Sequence, residues 1–430
     1  MDRREFLKTL SVIALGTALR TPLAAAVGSA ASRRKAARSI IEVWVWGGPS
    51  HIDTFDPKPD AGYDYNGGYK AIPTNVDGIM LGEWLPKLAQ QADKFSIIRS
   101  MTHPTGAHET ATYLMQTGRM PGDGITYPAI GAVIAMMKSA EYKGKLPPYI
   151  AIPINKGRFS ENGFLNERFR PMATGGNPNA QRFQVDGYVP PGNLSDAQIK
   201  ARSQLNRELD NLGLPMPQLF ADFDAAGAEA EEIMTGGAAR AFDLNLEPKE
   251  VRDLYGRNTL GQTFLAARRL VEAGVPYITI NASGWDSHKR HFETMRQRTA
   301  DMDQGFAALL QDLAERKLLD STLIWWTGEF GRTPKVDWQE PWLGGRNHYC
   351  RCFSSVVAGG GFKGGKVVGR SDERAENVVE RPVSPVDLLW SIYELAGIDP
   401  SAPLPNPRGL ELPILPGDGS GKLVELYKEA

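Results

Sequence analysis

Short apolar runs alternate with amphipathic stretches along most of this chain. Residues 40–46 read IIEVWVW, a β-branched and aromatic run broken only by Glu42 and stopped by Gly47-Gly48-Pro49. A run of that length bounded by turn residues predicts a largely buried strand that opens into a loop. Similar runs at 95–101, 149–154, 275–280, 323–327 and 355–358 predict further strands. Helical patterns lie between several of them, at 109–116, 128–138, 260–273, 291–316 and 385–396. Strands alternating with helices imply an α/β fold, a mostly parallel central sheet with helices on both faces. Ligands in such sheets bind beyond the carboxyl ends of the strands, so the loops leaving these runs are where chemistry is expected.

Two regions depart from the pattern. The chain starts MDRREFLK, with Arg3 and Arg4 ahead of an apolar stretch over 10–19 and small residues at 24–26. This reads as a twin-arginine signal peptide over 1–30, removed after export through the twin-arginine machinery. Spanning a bilayer needs about 18 apolar residues; this stretch is shorter and is broken by Gly16 and Thr17, so no stable membrane anchor is expected. Arg33, Arg34, Lys35 and Arg38 read as a basic linker over 31–39, which leaves one domain over 40–430 in a periplasmic or otherwise extracytoplasmic protein. Within it, 156–247 is rich in Pro, Gly and Asn as far as 193, then polar and helical over 196–212 and 219–234, the pattern of an insertion or lid.

Charge narrows the function. A formal net charge of −1 with no basic stripe argues against a nucleic-acid partner. The two cysteines, Cys350 and Cys352, have a spacing that suits neither a disulfide framework nor a CxxC site. Residues 360–366 spell part of a phosphate-binding loop, but Val367 replaces its hydroxyl residue, and Gly359-Gly360-Gly361 reads as a tight turn.

The candidate chemistry lies in the six histidines, His51, His103, His108, His288, His291 and His348, each in a short polar or glycine-containing segment near a predicted strand end. Each alone is more ordinary as a surface or core residue; all six beside Asp53, Asp56, Asp286 and Glu329 point to one shared site. Asp286 with His288 or His291 offers an oxygen and a nitrogen to a divalent metal, although Asp286 or Ser287 also suits a helix cap. Arg332 suits bidentate contact with a phosphate or sulfate, or an ion pair with Glu329 or a neighbouring acid.

The segments GGPSHIDTFDPKP, HETATYLMQTGR, AFDLNLEP, GQTFLAARRLVEAGVP, WDSH, GEFGRTP, GRNH and AGGGFKGG resemble those of the family called domain of unknown function 1501, within the alkaline phosphatase and sulfatase superfamily. The resemblance covers essentially all of the chain after the signal. It implies an alkaline-phosphatase-like three-layer sandwich and a hydrolase of phosphate, sulfate or related esters that uses one or two divalent ions (Zn, Mn or Ca). The implied substrate is a small anionic ester or a sulfated or phosphorylated glycan. The expected metal ligands are Asp53, Asp286, His288, Glu329 and His348, with His51, His103 and His291 as second choices; the resemblance itself implies Asp286 with His288 or His291, Glu329 and His348. Aligning Thr117-Gly118-Arg119 with the sulfatase T-G-R puts His108 where the nucleophile stands, which excludes formylglycine chemistry. His108 is then nucleophile, proton shuttle or ligand, and Arg332 steadies the anion. Relatives place an Asp directly after the first strand, where this chain has Trp46-Gly47-Gly48; Asp53 substitutes only if its loop folds back. The alternative is an exported binding protein with an eroded metal site.

Overall fold

The computed structural model describes residues 36–122, 124–155, 157, 161–181, 183, 185, 196–210 and 238–429. The stretch expected as an export signal, residues 31–35 of the expected basic linker and the helical stretch expected over 219–234 lie outside the described residues.

An eight-stranded sheet forms the centre of the molecule. Its strands are β1 (Ser39–Trp44), β2 (Phe95–Met101), β3 (Tyr149–Ile152), β4 (Met172–Ala173), β5 (Tyr277–Asn281), β6 (Thr322–Thr327), β7 (Phe353–Ala358) and β8 (Lys366–Val368). They lie in the order β8-β2-β7-β6-β1-β5-β3-β4. All run parallel except β7, which is antiparallel to both β2 and β6. Of the stretch expected as an insertion, Met172–Ala173 adds the edge strand β4, and Asp196–Asp210 is a helix.

Alternation along β1 explains the layers. Ile41 and Val43 face a core shared with helices α3 (Thr259–Glu272) and α4 (His291–Glu315). Ile40 and Trp44 face the opposite core, built with α2 (Ile130–Lys138) and α5 (Pro385–Leu395). Side chains of successive strand residues point to opposite faces, so a strand apolar on both faces needs a layer on each. The result is the expected three-layer sandwich. Helix starts follow local chemistry: Asn258 caps α3, and Ser384 with Asp387 forms a capping box at α5 behind Pro385. The glycines at 359–361 all have positive φ, the turn their sequence predicts. Among the described residues, no helix is long and apolar enough to cross a membrane.

Parallel strands bring their carboxyl ends to one edge. β1 ends before Gly47, β2 before His103 and α1 (His108–Thr117), β5 before Asp286, and β6 before Glu329. The antiparallel β7 begins at this edge, just after His348.

Candidate metal centre

Three imidazoles and a carboxylate meet above that edge. His288 Nε2 lies 3.0 Å from His348 Nε2 and 3.0 Å from Asp286 Oδ1. His348 Nε2 is 3.1 Å from the same oxygen, and His108 Nε2 is 3.3 Å from Asp286 Oδ2. The other nitrogen of each ring is committed elsewhere. His108 Nδ1 meets Glu329 Oε1 at 2.7 Å, His288 Nδ1 meets Asn347 Oδ1 at 2.8 Å, and His348 Nδ1 meets the Gly106 carbonyl at 2.8 Å. A carboxylate or carbonyl oxygen can only accept, so each Nδ1 carries a proton and each ring turns its Nε2 toward Asp286.

Arg332 already places one positive charge on Asp286 Oδ1. Wherever a ring is neutral its Nε2 lone pair faces this carboxylate, and a donor set of imidazole nitrogens and a carboxylate fits a divalent metal ion. Metal-bound histidines ordinarily give their second N–H to a carboxylate or carbonyl, as all three do here. His108, Asp286 and His348 each offer a ligand atom within 4.8 Å of the others, and ligands about 2.0–2.1 Å from a tetrahedral zinc stand about 3.3 Å apart. Glu329 supplies a second sign. It is completely buried; its Oε1 accepts from Gly47 N at 2.8 Å as well as from His108, while its Oε2 has no hydrogen-bond partner among the described residues.

The Trp46-Gly47-Gly48 turn makes room for this packing. Gly47 has φ +108°, and a Cβ there would sit 2.2 Å from Asp286 N; Gly48 has φ +81°, and a Cβ there would sit 2.7 Å from the Phe330 carbonyl oxygen. Only glycine combines that conformation with so close an approach. Trp46 stacks on the His108 ring at 4.7 Å, and Phe330 lies 4.5 Å from the His348 ring, so aromatic walls hold two of the imidazoles.

Electrostatics separate the members. Burial opposes ionisation of Asp286, but hydrogen bonding and charge from Arg332, then His288 and His348, bring its carboxyl down to about 2. Burial also lowers His108, yet Glu329 and Asp286 outweigh it and raise the ring above its ordinary value. Burial dominates at His348 and lowers it.

The remaining expected residues lie around this cluster. Arg332 is completely buried and donates to Asp286 Oδ1, to the carbonyls of Gly47 and Gly48, and to that of Arg346. Its guanidinium thus fixes Asp286 from within the protein. Asp53 has folded back beneath the cluster, where Arg346 and His291 take both its oxygens. His103 gives its Nε2–H to the Glu329 carbonyl at 2.7 Å, just behind the cluster. His51 is buried apart from the cluster, its Nε2–H on the Ala375 carbonyl at 2.9 Å. Sequence reasoning overlooked Arg346, Asn347 and Gly106; the GRNH segment marked the first two, whereas a backbone acceptor leaves no trace in a sequence.

A search of curated proteins gives no match. Among solved structures, the chain is similar to a sulfatase from Pseudoalteromonas sp. at 14% identity, covering 85% of this chain and 68% of that one, with a TM-score of 0.35. It is similar to a protein in the alkaline phosphatase superfamily from Vibrio parahaemolyticus at 9% identity, covering 85% and 67%, with a TM-score of 0.38. A phosphonate monoester hydrolase from Silicibacter pomeroyi is similar at 12% identity, covering 85% and 73%, also with a TM-score of 0.38. The model of the family described as "Protein of unknown function (DUF1501)" matches residues 37–424, and the chain belongs to that family.

Proposed function

We propose that this protein is an exported hydrolase of phosphate, sulfate or related esters, working with one divalent metal ion held by His108, Asp286, His288 and His348. The observation that carries the reading is the convergence of three Nε2 atoms, each on a ring whose Nδ1 is hydrogen-bonded elsewhere, on one carboxylate. An ion held there would lower the pKa of a water molecule and offset negative charge on the ester. The chain's own groups supply the rest. Glu329 orients the His108 ring through its Nδ1–H, and Arg332 keeps Asp286 ionised and aimed at the imidazoles. Helix α1 starts at His108 with no side-chain cap, so its first N–H groups favour an anionic oxygen beside the cluster. The side chains of His108, His288, His348 and Asp286 are 22%, 35%, 24% and 30% exposed, which leaves a small anionic ester, or one borne on a glycan, a way in.

Export by the twin-arginine route completes the proposal. It rests on Arg3 and Arg4 and on the apolar stretch after them. Replacing both arginines by lysine is expected to leave the protein in the cytoplasm on cell fractionation; unchanged export would contradict the route.

The enzyme reading is tested by metal analysis of the purified protein together with turnover of aryl phosphates, aryl sulfates and phosphonate monoesters. The expected result is one divalent ion per chain and cleavage of at least one ester, both lost in His288→Ala. Bound metal without turnover on any of them would favour a binding protein.

A further inference from the structure

Behind the metal centre, four side chains form an unbroken line of hydrogen bonds. Ser287 Oγ lies 2.5 Å from His291 Nδ1, and His291 Nε2 lies 2.9 Å from Asp53 Oδ2. Arg346 grips the same carboxylate, Nε at 2.8 Å from Oδ2 and a terminal nitrogen at 2.9 Å from Oδ1. Exposure is 4% for Ser287, 2% for His291, 7% for Asp53 and zero for Arg346. The proton positions follow from chemistry. The carboxylate only accepts, so His291 carries its proton on Nε2, and its Nδ1 accepts from the Ser287 hydroxyl.

The line joins the two segments that carry ligands. Ser287 sits between Asp286 and His288, while Arg346 precedes Asn347 and His348. Arg346 also reaches the carbonyls of Thr333 at 2.9 Å, Pro334, and Tyr65 at 2.6 Å, which ties in two further loops. We infer that Ser287, His291, Asp53 and Arg346 are positioning residues that lock the 286–288 and 346–348 segments into one frame and so set the centre's affinity for its metal. This rests on the metal-centre reading.

The order Ser–His–Asp is also that of a hydrolase triad, which is recognised by geometry rather than by sequence position. Here the geometry speaks against a nucleophile. Asp286 and His288 turn toward the cluster, whereas Ser287 turns the opposite way onto buried His291. Asp53, an expected metal ligand, accordingly acts through Arg346 and His291.

The test compares the full-length wild type with Ser287→Ala and Asp53→Asn. Ser287→Ala removes only a hydroxyl, so it carries the affinity measurement; Asp53→Asn breaks a buried ion pair. By calorimetric titration, Zn²⁺ is expected to bind Ser287→Ala about 10-fold more weakly than wild type, the low end of the cost of losing a direct partner of a metal ligand, because Ser287 acts through His291 and the backbone of its neighbours. With Co²⁺ as the probe, both variants are expected to keep the wild-type visible absorption bands, because no direct ligand has changed. Unchanged Zn²⁺ affinity in Ser287→Ala overturns the inference and leaves the metal centre standing. A cobalt spectrum altered in Asp53→Asn makes Asp53 a ligand and overturns it too, as does covalent labelling of Ser287 by a fluorophosphonate. A wild type that takes up neither ion overturns the metal centre itself, and this inference with it.

Discussion

Two clusters built from the same kinds of side chain lie one behind the other in this protein, and they differ in how their charges are matched. In the inner one, Asp53 meets Arg346 and His291, and His291 accepts from Ser287; each of these contacts pairs a donor with an acceptor. In the outer one, His108, His288 and His348 each give an Nδ1–H away from the centre and turn the second ring nitrogen toward Asp286. Aspartate, histidine and arginine occur in both. What distinguishes a structural cluster from a reactive one is thus the direction of its protons, since buried polar groups are normally paired and an unmatched set calls for a missing partner.

Substitutions can break that contrast. The largest effect is expected from Asp286→Ala, which removes the carboxylate on which the imidazoles converge: metal analysis should find the ion gone and ester cleavage abolished. Asp53→Asn should show the opposite profile. It should keep the cobalt spectrum yet lose about 3–5 kcal/mol in denaturant unfolding, the cost of breaking a buried ion pair and leaving Arg346 uncompensated. Glu329→Gln lies between the two. It weakens the hydrogen bond that orients His108 and should reduce metal affinity about 10–100-fold by titration.

The smallest effect is a matter of pH. Burial opposes ionisation of Asp53, but Arg346 and then His291 outweigh it and hold the carboxyl well below its usual value. A depressed acid stabilises the fold fully above its unfolded pKa of about 3.9 and loses that contribution as pH falls toward the folded value. Acid unfolding of wild type should therefore steepen below about pH 4, and in Asp53→Asn this part of the slope should disappear. A slope that persists in the variant would mean the inner cluster is less tightly paired than its distances imply.

Much of the fold could be read from hydrophobic pattern, and the misses have local causes. The strand at Phe95–Met101 has the limits its apolar run predicts. The first strand ends at Trp44 although the apolar run continues to Trp46, because the chain leaves the sheet there to enter the Gly47-Gly48 turn. Strands as short as Met172–Ala173 carry no period to detect. At the site, strand ends marked Asp286, His288 and Glu329, because parallel topology delivers such residues to one edge, and His348 joins them because it precedes the antiparallel strand that begins there. Residue type alone could not give Asp53 its partners: Arg346 lies 293 positions away, and whether a carboxylate meets a guanidinium or a metal is decided by packing. The Gly106 carbonyl that fixes the His348 ring was invisible for a related reason, since every residue offers the same backbone acceptor.

X-ray absorption spectroscopy of the zinc-loaded protein addresses the central claim most directly. Nitrogen scatterers at about 2.0–2.1 Å, with the outer-shell pattern of three imidazoles that drops to two in His348→Ala, are the predicted result. A shell of oxygen alone, or a spectrum that His348→Ala leaves unchanged, would contradict it.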